Sequence, residues 1–172
     1  MTEGSASWAR QFWWCGGMKV LHLTIWMMPL FSAAPVTFAH ADETKTKVQL
    51  RPYDQQIAAL GKQLYATNCA SCHGKNLEGE PNWQTPKADL TMPAPPHNKR
   101  GHTWHHNDKL LFDLTKFGLA KYLNRPNYKT SMPVYDGVLT DEEIVAVLSY
   151  IKSTWPEEVR NRHDKLNAQS GN

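Results

Sequence analysis

The chain has 172 residues, room for one ordinary domain. Its net charge of +3 comes without a basic run, which argues against a nucleic-acid-binding surface. Of its three cysteines, two sit at 69 and 72, too close together for a disulfide-stapled scaffold.

In chain order, the front reads as a targeting segment. Lys19 precedes an apolar run from Val20 to Phe31, small residues Ser32, Ala33 and Ala34 follow, and Ala39-His40-Ala41 supplies an A-x-A cleavage pattern. This predicts a signal peptide over 1–41. Met18-Lys19 would be a conventional start, which makes 1–17 a mis-assigned upstream extension unless Arg10 supplies the leading charge. The rival is a retained membrane anchor, but the apolar part is short for a span and is broken by Pro29 and Pro35. Cleavage would remove Cys15, leave no membrane segment and put the mature protein in the periplasm.

Residues 42–54 are polar, with Pro52, and read as a flexible lead-in. Over 55–67, Ile57, Leu60, Gly61, Leu64 and Tyr65 recur at helical spacing. A glycine inside a helix costs about 1 kcal/mol relative to alanine. Gly61 makes sense if another helix crosses closely.

Cys69-Ala70-Ser71-Cys72-His73 follows at once. Residues three apart on a helical turn share a face, so both thiols can reach the vinyl groups on one haem edge and form thioethers. His73 then offers an imidazole nitrogen to the iron. The pattern is that of covalent c-type haem attachment, one haem per chain. Two other uses stay open. Zinc could recruit His102 and His106, although about 29 residues separate them from Cys72, roughly twice the zinc-finger gap. A redox dithiol would need a βαβ setting, and no strand pattern surrounds the motif.

From 80 to 100 the chain has prolines at 81, 86, 93, 95 and 96 and no sustained periodicity, which predicts an irregular connection across the haem edge. His97, His102, His105 and His106 cluster around Trp104. They could build a second metal site for copper or zinc. Alternatively, Trp104 and one of His102, His105 and His106 hydrogen-bond the haem propionates while the rest face solvent. Asn107 or Asp108 then caps a helix carrying Leu110, Leu111, Leu114 and Phe117, with Gly118 as its stop.

Thr140-Asp141-Glu142-Glu143 is a capping box. Behind it Ile144, Val147, Leu148, Ile151 and Trp155 form one apolar stripe, and Pro156 ends or bends it. Residues 157–172, the polar C-terminal tail, carry charges of both signs and read as a solvated helix extension that frays into Ser170-Gly171-Asn172.

A Gly-x-x-x-Tyr helix (Gly61, Tyr65) running into C-x-x-C-H, with a capped terminal helix bearing Tyr150, resembles the class I, monohaem cytochromes c of the bacterial periplasmic type. The resemblance covers a domain over 55–156. It implies a small all-α fold wrapped around the haem, with the first and last helices crossing at Gly61 near Tyr65 and Tyr150. It also implies a second axial ligand, usually a methionine in the loop before the terminal helix. Met132 in Ser131-Met132-Pro133 fits that place, with Met92 as its main rival and a histidine or open site as the remainder. With His73 and Met132 both bound, the iron has no open position, so the expectation is an electron carrier and not an enzyme. Such a carrier would be a monomer meeting unknown donor and acceptor proteins at the haem edge, with Lys62, Lys75, Lys87 and Lys129 able to steer an acidic surface. The alternatives are a haem enzyme or gas sensor with open iron, a copper-handling protein using the His97–His106 cluster, and the cytochrome subunit of a larger oxidoreductase.

Overall fold

A computed structural model describes residues 47–171. The expected signal peptide over 1–41 lies outside the described residues. Among those described, five α-helices and one 3-10 turn account for all the regular structure, with no strand, as an all-α fold requires. The helices are α1 (Gln55–Asn68), α2 (Ala70–His73), α3 (Asp108–Tyr122), α4 (Asp141–Ser153) and α5 (Glu157–Gln169).

Asp54 caps α1 by accepting hydrogen bonds from the backbone N–H groups of Gln56 and Ile57, both at 3.1 Å. Only Gly61 and Tyr65 of its apolar stripe are fully buried, and Leu60 at the stripe's edge is exposed. At the N-terminus of α4 the capping box is complete. The N–H of Glu143 donates to Thr140 Oγ1 at 3.2 Å, and the N–H of Thr140 donates to Glu143 Oε2 at 2.8 Å.

The expected crossing is present. α1 and α4 make the most extensive helix contact in the fold. A β-carbon at Gly61 would collide with the Ala146 carbonyl and lie 2.9 Å from Tyr150 Cβ, so only glycine permits this approach. Tyr65 and Tyr150 pack beside it with ring centroids 5.5 Å apart. Around the crossing, Ile144, Val147, Leu148, Ile151, Trp155, Leu111, Phe112, Leu77 and Tyr135 form one core.

Asn107, not Asp108, caps α3, accepting from the N–H of Leu110 at 2.8 Å. Gly118 ends its first segment at φ 78°, after which the chain resumes a helical turn. Of the expected apolar set on this helix only Leu111 is fully buried. Phe112 joins it in the core shared with α4, while Leu110, Leu114 and Phe117 stay half-buried.

Two sequence expectations need correction. The segment after Trp155 is helical as expected but not simply solvated, because α5 lays one face on the protein and buries His163 completely. The lead-in is tied down at its end. Leu50 is buried and its N–H donates to Asp108 Oδ2 at 2.8 Å, while the N–H of Arg51 donates to Ser149 Oγ at 2.8 Å. One polar network explains both. His163 Nε2–H donates to the His106 carbonyl at 2.7 Å, and Nδ1 accepts from Asn167 Nδ2 at 3.3 Å. Asn167 also bonds Asp108 twice, and buried Lys152 pairs with Asp164 at 2.6 Å. In this network Asp108, Lys152 and His163 each find a partner outside their own helix, which is what makes their burial tolerable.

Two predictions follow from this packing. Gly61→Ala should lose about 3 kcal/mol in denaturant unfolding, the upper end for overpacking, because backbone and not a flexible side chain stands in the way. A variant as stable as the parent would contradict the crossing. For His163, burial holds the imidazole below its usual value, with Lys152 adding to the effect and Asp108 and Asp164 opposing it. Protonation would also turn Nδ1 into a donor facing the Asn167 amide. The unfolded chain therefore binds a proton that the fold resists. This contribution to stability is complete above the ordinary histidine value and is lost as pH falls below it, by at most about 1.4 kcal/mol per pH unit. Urea unfolding at mildly acid and mildly alkaline pH should show a shallower loss in His163→Asn than in the parent; equal slopes would refute the assignment.

Candidate functional site

α1 ends where the cysteine motif begins. The N–H of Cys69 still donates to the Tyr65 carbonyl at 2.9 Å, and the N–H of His73 donates to the Cys69 carbonyl at 2.9 Å, so α2 is one extra turn. Two tyrosine hydroxyls pin this turn at its ends. Tyr65 donates to the Gly74 carbonyl at 2.8 Å, and Tyr135 donates to the Asn68 carbonyl at 2.6 Å. Burial pushes both phenols up, Tyr135 to about 12, so they stay neutral donors. Cys69 is half-buried and Cys72 exposed.

His73 is buried, and its Nδ1–H donates to the Pro95 carbonyl at 2.8 Å. That bond selects the tautomer with the proton on Nδ1 and leaves the Nε2 lone pair available to a metal. Burial also holds His73 below the usual histidine range, in the neutral form that ligation needs.

The segment that supplies this acceptor is the proline-rich connection, irregular from 80 to 100 as expected. It is wedged tightly. A β-carbon at Gly101 would strike the Pro96 carbonyl, so glycine there lets the two backbones touch. His97 follows, and its ring stacks on His73 with centroids 4.0 Å apart and planes 24° from parallel.

The other histidines go elsewhere. His102 stacks on Trp83 at 5.3 Å and meets His106 edge-on at 5.4 Å, while His105 stacks on Trp104 at 3.6 Å. Among the described residues, no group of three or more His, Cys, Asp or Glu side chains is placed to hold a metal ion. Trp104 Nε1 is buried and has no hydrogen-bond partner within the protein. An orphaned indole N–H costs about 1–3 kcal/mol unless an acceptor reaches it, and a propionate oxygen is such an acceptor.

Met132 is half-buried in the loop before α4, with its N–H donating to Thr130 Oγ1 at 3.1 Å. Three residues later Tyr135 ties that loop to α3, through its N–H and the Thr115 carbonyl, and to Asn68 beside Cys69. The loop is therefore anchored to the cysteine motif. Met92 is exposed, in the stretch just beyond the Lys87–Thr91 backbone hydrogen bond.

These residues fit a covalently held haem: two thiols on one turn and an imidazole of the correct tautomer, with Trp104 Nε1 a buried donor left without a partner. Sequence reasoning singled out Cys69, Cys72, His73 and Trp104 as candidates. It missed the Pro95 carbonyl and the stacking of His97, for which no local pattern gives a signal. A family model described as Cytochrome c matches residues 58–155. No curated protein matches the chain, and no solved structure does. The matched span runs from within α1 to Trp155, more than half of the chain, and takes in the whole of the site. The chain belongs to the cytochrome c family, whose members bind a covalently attached haem c and generally serve in electron transfer.

Proposed function

We propose that this chain is a periplasmic shuttle for single electrons, with the haem iron held between His73 and Met132. The observation that carries the reading is the His73 Nδ1–H bond to the Pro95 carbonyl, which commits one ring nitrogen to the protein and reserves the other for iron. Haem, when bound, supplies the one-electron iron couple. The chain's part is to keep the coordination unchanged in both states. Cys69 and Cys72 tether the ring edge, His73 is held from behind, and the loop carrying Met132 is anchored at Tyr135. A thioether is a soft ligand that favours ferrous iron and raises the potential relative to a second histidine. Pro133 supports this by restricting Met132 to extended backbone conformations.

Export accords with the A-x-A pattern at Ala39-His40-Ala41 and with covalent haem. Among the described residues, no helix is long and apolar enough to cross a membrane. Exposed Lys62, Lys75 and Lys129 would steer an acidic redox partner to a weak, fast-exchanging contact. Lys87 contributes less, because it pairs with Glu80 at 3.0 Å.

Carbon monoxide tests the ligand set. The reduced parent should not bind it at equilibrium, since both axial positions are filled. Met132→Ala should bind it readily, with a shifted Soret band. A Met132→Ala spectrum identical to the parent's, with and without carbon monoxide, would remove Met132 from the iron.

A further inference from the structure

The carbonyl of Pro95 holds one edge of His73, but a hydrogen bond to a carbonyl has a broad angular distribution and leaves a ring free to swing about it. What removes that freedom is a second ring. We infer that His97 is a positioning residue for His73: stacked on its imidazole and itself clamped on several sides, it sets the plane in which that imidazole meets the iron. The inference rests on the reading of His73 as an iron ligand.

The clamp is unusually complete. The N–H of His97 donates to the Leu77 carbonyl at 2.9 Å, and its own carbonyl accepts from Trp155 Nε1 at 2.7 Å. Its Nδ1 shares a hydrogen bond with Thr103 Oγ1 at 2.8 Å, and Thr103 in turn reaches the Pro96 carbonyl at 3.4 Å. Leu77, Thr103 and Trp155 are themselves buried. Tyr65 closes the stack edge-on at 6.4 Å. Backbone and ring are therefore both held, and the ring centroid lies 4.0 Å from that of His73.

The same short segment thus contacts the ligand twice, by the Pro95 carbonyl and by the His97 ring. Pro96 joins them with a locked φ, so the two contacts move as one body. An aliphatic side chain at 97 would fill the space but present no plane. An imidazole presents a plane and has a nitrogen to be held by, and Thr103 is there to hold it. Partners of this kind, behind a metal ligand, govern ligand orientation.

The test uses the full-length, haem-loaded protein in three variants. The readouts are the ferric electron paramagnetic resonance g-values and the paramagnetically shifted haem methyl protons, both of which depend on the plane of the axial imidazole. His97→Leu should shift and broaden both, and His97→Phe, which restores a flat ring, should return them most of the way to the parent's. Thr103→Val, which frees the His97 ring without removing it, should shift them in the same direction by less. His97→Leu spectra matching the parent's would overturn the inference, as would a His97→Phe protein that departs as far as His97→Leu. If His97→Leu does not mature, Thr103→Val decides: a shift supports positioning, and the parent's spectrum refutes it. The parent itself separates the two readings. Absence of the strongly shifted ring protons of a coordinated histidine would sink the ligation reading. Their presence, unmoved by these substitutions, would sink only the role of His97.

Discussion

The contact on which the rest of the molecule depends is the approach of Gly61 to the Ala146 carbonyl. It lets α1 and α4 cross with no side chain between them, and it fixes where α1 points when it ends. Because Cys69 is still hydrogen-bonded to the last turn of α1, the cysteine motif inherits that direction without a hinge. Tyr65 extends the crossing into the site, burying its ring against Tyr150 and giving its hydroxyl to the Gly74 carbonyl. The helix pair that forms the core therefore also aims the haem-binding turn.

The opposite wall is built without regular structure. From 80 to 100 the chain has no helix to satisfy its backbone, so its polar groups are met singly: Ala94 and Glu80 bond each other, His97 bonds Leu77, and Trp155 caps the His97 carbonyl. Prolines suit such a segment because they lack the N–H that would otherwise need a partner. The result is a stiff strap carrying a carbonyl to the edge of His73 and an aromatic ring to its face. An electron carrier gains from such stiffness, since a ligand that does not move between oxidation states adds little reorganisation to each transfer.

How much of this was legible depended on the range of the interaction. The cysteine motif, the capping box at Thr140 and the glycine at 61 are local patterns whose chemistry follows from spacing, and the structure places each of those elements as expected. The network around His163 was not legible, because His106 and Asp108 lie far away in the chain and a polar stretch with mixed charges looks like a solvated one. The same holds for His97. Four histidines in ten positions suggest a metal cluster, yet the backbone turns between Pro96 and Thr103 and sends one ring to His73 and the others to tryptophans and each other. Trp104 was legible as a donor in search of an acceptor, and its buried, unpartnered nitrogen is consistent with that.

The central claim is a haem iron closed on both sides by His73 and Met132. Its most direct test is the visible absorption spectrum of the exported, haem-loaded protein, oxidised and then reduced. The account predicts a low-spin, six-coordinate pattern in both states, with the weak far-red band of sulfur-to-iron ligation in the oxidised form. A high-spin spectrum, or a low-spin one lacking that band, would contradict it.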